Sequence, residues 1–201
     1  MESNSVKTAL LVMAGGRASR MGGVNKALVP FRGTTLIQNV LDCVVWSFDE
    51  RWVSANRDEE RFEALGLRVV RDVRAGFPGP LGGIEALSAE GTRVDWILMV
   101  PCDTPFLPKN LMSRFMTAVQ EDATTGEVRT AYVAHAAGRL QSAVALLSRA
   151  ALEQATPFLD AGERKLGVWY QCIGARVVRW DDVPEEAFEN INTPEDRARW
   201  A

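Results

Sequence analysis

The sequence predicts an α/β sandwich built on a mainly parallel sheet. Three observations predict it. Short, wholly apolar runs at residues 9–13 and 96–100 have the pattern of strands covered on both faces. Segments with helical apolar spacing separate such runs. Polar or glycine residues stand directly after the runs, at Gly15, Asn56, Asp72 and Asp103, and a parallel sheet places its ligands beyond the carboxyl ends of its strands.

The elements follow in order. The run at 9–13 ends at Gly15-Gly16. Leu36, Ile37, Val40, Leu41, Val44, Val45 and Phe48 then form one face of a helix, with Thr34 or Thr35 able to cap its start. Residues 51–55 make the next strand, about 59–65 a charged helix, and 67–70 a third strand ending at Asp72. Residues 77–83 form a glycine- and proline-rich loop leading into a helix at about Ile84. The strand at 96–100 runs into Pro101-Cys102-Asp103, and the stripe Leu111, Met112, Phe115, Met116 and Val119 marks a helix whose apolar face belongs to the core. The second half is less regular. Residues 131–134 and 142–147 are strands around a turn at Ala137-Gly138, 176–180 is a late strand, and Asn192-Thr193-Pro194-Glu195-Asp196 opens a last helix ending near Trp200. No repeat, low-complexity segment or linker divides the chain, so one domain over residues 1–201 is expected.

Composition excludes several function classes. The 201 residues suit a single domain able to bury about 70% of its unfolded surface without a metal or disulfide staple. A hydrophobic share of 47% and a charged share of 24% exclude disorder. Net charge of −3 argues against nonspecific nucleic-acid binding, which needs a broad basic surface. The apolar run at 9–14 is far short of the ~20 residues of a membrane span. Met1-Glu2-Ser3-Asn4-Ser5 lacks the basic and apolar regions of a secretory signal. A cytoplasmic location away from membranes is therefore expected. Cys43, Cys102 and Cys172 form no C-x-x-C pair, which leaves reduced thiols rather than structural zinc. With His135 as the single histidine, a Ser-His-Asp or multi-histidine site has no material.

The segment 14–26 carries the chemistry. It holds four glycines and the cations Arg17, Arg20 and Lys26 within thirteen residues of a buried strand. Glycines let backbone N–H groups approach phosphate oxygens, and the cations add charge. The segment is neither a G-x-G-x-x-G fingerprint nor a P-loop, because Ala27 follows Lys26 where a P-loop has its magnesium-binding hydroxyl. Asp103, at the end of a central strand, suits a magnesium ligand and equally a turn before Pro105. Cys102 is read as structural.

These motifs carry a resemblance. Ala14-Gly15-Gly16, Ser19-Arg20-Met21-Gly22 and Lys26 resemble the signature loop of nucleotidyltransferases. With Gly79-Pro80-Leu81-Gly82-Gly83-Ile84, residues 101–108, Ala161-Gly162-Glu163-Arg164-Lys165 and Asn190-Ile191-Asn192-Thr193-Pro194-Glu195, the ordered set is similar to the molybdenum cofactor guanylyltransferases, the MobA family, from about Leu10 to Trp200. The resemblance implies a Rossmann-like three-layer α/β/α fold. It also implies a reaction in which GTP and molybdopterin, with or without molybdenum, give the guanine dinucleotide cofactor and pyrophosphate, with other proteins of molybdenum cofactor metabolism as possible partners. GTP contacts would fall on Met13, Ala14, Gly15, Lys26, Asn56, Asp72, Gly82 and Asp103, with Mg²⁺ on Asp103. Arg20, Lys26 and Asp103 would form the catalytic set, and Arg164, Asn190 and Asn192 the acceptor side. The nucleotide half would span about 8–110 and the acceptor half about 130–201.

Two positions depart from the family pattern. Asn25 stands where Asp is frequent, and Leu140-Gln141-Ser142 lacks a His-Pro signature. The alternatives are a cytidylyltransferase, disfavoured by Ala14-Gly15-Gly16 in place of Ala-Ala-Gly; a sugar-1-phosphate transferase, which lacks the last two motifs; and a non-catalytic nucleotide-binding adaptor. Thr193 to Asp196 also has a ligand-free reading, as a capped helix start with acids in its first turn.

Overall fold

The computed structural model describes residues 5–15, 25–76 and 78–200. Its strands are β1 (Thr8–Met13), β2 (Pro30–Phe31), β3 (Thr34–Thr35), β4 (Glu50–Ser54), β5 (Arg68–Val70), β6 (Trp96–Pro101), β7 (Ala131–Ala136), β8 (Arg139–Ser148) and β9 (Arg176–Arg179). Its helices are α1 (Leu36–Cys43), α2 (Glu59–Glu63), α3 (Pro80–Ala89), α4 (Leu111–Thr125), α5 (Arg149–Glu153), α6 (Ala155–Asp160), α7 (Leu166–Cys172) and α8 (Pro194–Trp200).

Seven strands form one sheet in the order β5-β4-β1-β6-β8-β7-β9. β5, β4, β1 and β6 are mutually parallel, and β8 runs against both β6 and β7. Alternate residues of each strand face opposite layers. Leu10, Val12, Leu98 and Val100 pack with Ile37 and Val40 of α1, Phe62 of α2 and Phe115 of α4. Ala9, Leu11, Ile97 and Met99 pack with Leu81, Ile84 and Leu87 of α3 and with α5, α6 and α7. This is the α/β sandwich that the apolar runs predict, in the three-layer form that the resemblance implies, and the runs at 9–13 and 96–100 are apolar because both faces of β1 and β6 are covered.

Several expectations are corrected. Helix α1 stops at Cys43, not Phe48; Val45 is exposed, so the apolar spacing beyond Val44 belongs to the turn leading to β4. Thr35, not Thr34, caps α1, its hydroxyl accepting from the Gln38 N–H at 3.4 Å. Helix α3 starts at Pro80 rather than near Ile84: Pro80 lacks the N–H that the first helical position leaves unpaired anyway. The hairpin β2–β3 and the helices α5 and α6 stand where no regular element was expected. No helix of the described residues is long and apolar enough to cross a membrane.

The chain order fixes where a ligand would sit. From β1 the chain moves outward to β4 and β5, then returns to β6 on the other side of β1. The strand order thus reverses at β1, and the crevice beyond its carboxyl end is the favoured binding position of such a sheet.

Candidate active site

At that crevice the structure joins residues distant in sequence. Lys26 follows Asn25, whose buried side chain caps a short 3₁₀ turn, Lys26–Leu28: Asn25 Oδ1 accepts from the Ala27 N–H at 3.2 Å, and its Nδ2 donates to Asp58 Oδ2 at 2.8 Å. This second bond accounts for the departure at position 25, because an aspartate there would oppose the Asp58 carboxylate. The turn delivers the Lys26 ammonium into an ion pair with Asp103 Oδ2, and the same ammonium donates to Asn192 Oδ1 at 2.7 Å. The pair is partly shielded, with side-chain exposures of 23% and 17%.

The loop after β6 supports this cluster. The Cys102 N–H donates to the Met13 carbonyl at 3.1 Å, and the Ile191 N–H donates to the Asp103 carbonyl at 2.8 Å. The ends of β1 and β6 and the segment before α8 are thereby fixed to one another. The Thr104 hydroxyl donates to Asn190 Oδ1 at 2.6 Å. Burial pushes the Cys102 thiol up to about 12, with the Asp103 charge adding to the rise, so it stays protonated and unreactive. Its expected structural role stands.

A second corner forms beyond β4 and β5. Asn56 Nδ2 donates to Asp72 Oδ2 at 2.8 Å, and the Asp72 N–H donates to Asn56 Oδ1 at 3.0 Å. Gly82 lies against this pair: a Cβ on it would come within 2.9 Å of Asp72 Oδ1 and 2.2 Å of Pro78 Cγ. Gly83 joins the two corners, since a Cβ there would sit 2.5 Å from Ser54 Oγ and 2.6 Å from Met13 Cε. Between them Ala14 donates its N–H to the Ser54 carbonyl at 2.9 Å, and Gly15 lies alongside Ser54. Gly83 thus serves close helix–strand packing, which narrows the crevice, while Gly82 lies on Pro78 and the Asp72 side chain.

Next to the Asn190 corner lies a cleft of about 190 Å³ lined by Thr104, Arg139, Gln141, Ser142 and Asn190, among others. Its wall is held by the Gln141 amide, which donates to the Ala136 carbonyl at 3.1 Å, and by the Tyr170 hydroxyl, which donates to the Ser142 carbonyl at 2.9 Å.

Met13, Ala14, Gly15, Lys26, Asn56, Asp72, Gly82, Asp103, Asn190 and Asn192 all fall on this edge of the sheet. Arg20 lies outside the described residues. Arg164 is exposed between α6 and α7, and its guanidinium donates to the Leu159 and Glu163 carbonyls, each at 2.9 Å; no contact among the described residues joins it to Lys26, Asp103 or Asn192. Asp196, which the sequence shows only as an acid in a first helical turn, accepts the N–H groups of both Asn192 and Thr193 at 2.9 Å.

A lysine–aspartate pair at the reversal point of a parallel sheet, beside an inert thiol, suits phosphoryl chemistry without a covalent nucleophile, and the class that combines this edge with this fold is the α/β nucleotidyltransferases. Comparison with known proteins narrows the class. The family described as the MobA-like NTP transferase domain matches residues 10–173, and the chain belongs to it. The molybdenum cofactor guanylyltransferase of Shewanella sp. (strain ANA-3) is 38% identical over 198 residues, covering 98% of this chain and 96% of that relative. Among solved structures, molybdopterin-guanine dinucleotide biosynthesis protein A from Archaeoglobus fulgidus matches with a TM-score of 0.69 at 22% identity, covering 95% of each chain. A Mycobacterium tuberculosis protein solved in complex with manganese matches with a TM-score of 0.63 at 18% identity, covering 97% of this chain and 98% of that one. These two structures share the fold.

Proposed function

We propose that the protein transfers GMP from GTP to the terminal phosphate of molybdopterin, forming the guanine dinucleotide cofactor and releasing pyrophosphate. The near full-length likeness to guanylyltransferases supports this reading. The observation that carries it is the Lys26 ammonium held between Asp103, at the end of β6, and Asn192, before α8. An attack of one phosphate on another brings two polyanions together, and a fixed cation at their meeting point lowers the repulsion and the charge developing on the departing pyrophosphate. Lysine has three donors. Asp103 and Asn192 take two, which leaves one for a phosphate oxygen.

In this reading the corner of Asn56, Asp72 and Gly82 faces the nucleoside, the 14–15 backbone faces the phosphates, and Asn190 and Asn192 face the acceptor. Arg164 joins the acceptor side with the donors that its two carbonyl bonds leave over. The nucleotide half comprises about residues 8–110 and the acceptor half about 130–201. The residues present fit a magnesium ion brought with the phosphates. Asp103 offers one carboxylate, whose second oxygen makes no hydrogen bond among the described residues, and magnesium takes one or two carboxylates plus substrate oxygens. When bound, magnesium supplies charge neutralisation and orientation of the phosphates.

Incubation with molybdopterin, Mg²⁺ and each of the four NTPs, with mass identification of the dinucleotide, tests the reading. GTP is expected to support turnover far better than CTP. Equal turnover or a CTP preference overturns the guanylyl assignment.

A further inference from the structure

Asp196 is the third residue of α8, and it does more than a helix start requires. The Thr193 hydroxyl accepts the Asp196 N–H at 3.1 Å, as the cap of a capping box does. The return bond of such a box goes to the cap residue's own N–H. Here one carboxylate oxygen, Asp196 Oδ2, accepts that N–H and also the N–H of Asn192, one residue earlier, both at 2.9 Å. The Asn192 N–H lies outside the helix, so the helix gains nothing from this second bond. Its effect falls on Asn192.

Asn192 is pinned from its other side as well. Ile191 is buried with Val29, Phe31 and Leu36, and its N–H is bonded to the Asp103 carbonyl. An exposed asparagine would otherwise sample several rotamers and backbone states at an entropic cost to any contact it makes. With both flanking bonds in place, its amide oxygen stands 2.7 Å from the Lys26 ammonium. Helix α8 holds no fully buried side chain, and its Trp200 packs, partly buried, on the cluster of Val29, Phe31, Leu36 and Ile191. Its far end is tied to the β2–β3 hairpin, where Arg32 Nε donates to the Trp200 carbonyl at 2.7 Å, and to the loop after β6, where the Trp200 ring lies 5.2 Å from Phe106. The hairpin follows directly from the turn that carries Lys26. Both ends of α8 are therefore referenced to the same segment.

We propose that Asp196 is a positioning residue: through the Asn192 backbone it holds the Asn192 amide on Lys26, and so fixes the Lys26 ammonium where the acceptor phosphate meets GTP. Its kinetic part rests on the guanylyltransferase reading; its structural part, the restraint of Lys26, does not.

The test compares Asp196→Ala, Asp196→Glu, Thr193→Ala, Asn192→Ala and the double variant Asn192→Ala/Asp196→Ala. Trace acetylation followed by mass spectrometry reads the reactivity of Lys26 against Lys7 and Lys109 in the same chain. Loss of one hydrogen bond to a charged group predicts about tenfold or more faster labelling of Lys26 in Asp196→Ala. The glutamate variant should return towards wild type, since glutamate is the usual partner in a capping box. Thr193→Ala, which removes only the helix cap, should label like wild type. Steady-state kinetics with GTP and molybdopterin should show a raised molybdopterin KM for Asp196→Ala, with a loss of GTP affinity by calorimetry smaller than in Lys26→Ala because Asp103 still holds the ammonium, and no further effect in the Asn192→Ala background. Unchanged Lys26 labelling in Asp196→Ala, equal effects of Thr193→Ala and Asp196→Ala, or full additivity with Asn192→Ala overturns the proposal. A wild-type enzyme that forms no guanine dinucleotide overturns the guanylyl reading instead, and the labelling result still decides the restraint of Lys26.

Discussion

Single residues set the chemistry through what they are paired with. Lys26 is a point charge on a flexible stem, and its value at the crevice comes from Asp103 and Asn192 holding it there. Lys26→Ala is expected to lower GTP affinity or turnover on the order of tenfold or more, since a hydrogen bond to a charged group is worth about 1.5–3 kcal/mol; calorimetric titration and pyrophosphate release measure the two effects. Asp103→Ala should remove most activity while circular dichroism shows the fold retained. Activity within about threefold of wild type, under ~1 kcal/mol of barrier, would make Asp103 only a turn residue. Arg164→Ala should leave GTP binding nearly unchanged and weaken molybdopterin use. If Arg164→Ala loses GTP and Lys26→Ala does not, the two ends of the crevice are assigned in reverse.

Elements bring these residues to the crevice by close approach. Helix α3 reaches β1 and β4 because Gly83 presents no side chain to Ser54 and Met13. A Cβ at Gly83 would also lie 2.7 Å from Ser54 Cβ; Met13 Cε, the flexible end of its chain, can swing aside more readily than Ser54 Cβ. Gly83→Ala is accordingly expected to cost about 1–3 kcal/mol as an overpacked contact. Gly167 of α7 is the control. A Cβ there meets nothing within 4 Å, so Gly167→Ala should stabilise by about 0.4–1 kcal/mol through the unfolded chain. Urea unfolding of the two variants should shift the midpoint in opposite directions, and a stabilised Gly83→Ala would mean that α3 is free to move off the sheet.

Across the whole molecule, charged groups at the packing layers tie distant segments together. Arg74, after β5, grips Glu85 of α3 at 2.6 Å and Asp160 of α6 at 2.7 Å. Arg176 of β9 meets Asp122 of α4 at 2.5 Å, and the Tyr132 hydroxyl donates to the same buried carboxylate at 2.9 Å. The Arg74 guanidinium holds the Glu85 carboxyl below the usual carboxylate range, against the opposing effect of its burial. A carboxyl lowered on folding contributes stability that is present above its unfolded value of about 4.3 and is lost as pH falls through the lower folded value. Glu85→Gln should therefore unfold at lower denaturant than wild type near neutral pH, with the gap closing as pH falls below about 4. A gap that persists at low pH would assign the effect to packing instead.

The sequence by itself determined the layer architecture and which polar and glycine residues stand at the strand ends. Apolar runs covered on both faces leave few alternatives to a buried parallel sheet, and the strand-end positions Gly15, Asn56, Asp72 and Asp103 follow from local pattern. The capped start of α8 was equally legible, because Thr193, Pro194 and Asp196 act within one turn. The tertiary structure decided what local pattern does not encode. Lys26 meets Asp103 and Asn192 across 77 and 166 residues, and which side chains pair over such separations is set by sheet order and layer packing. The β2–β3 hairpin has two-residue strands, too short to show alternation. The helices α5 and α6 run only five and six residues, too short for a helical period to stand out. The second bond of Asp196, to Asn192, depends on a backbone path that only the docked hairpin, Ile191 and α8 impose together, because an exposed polar segment has no apolar pattern of its own to fix it.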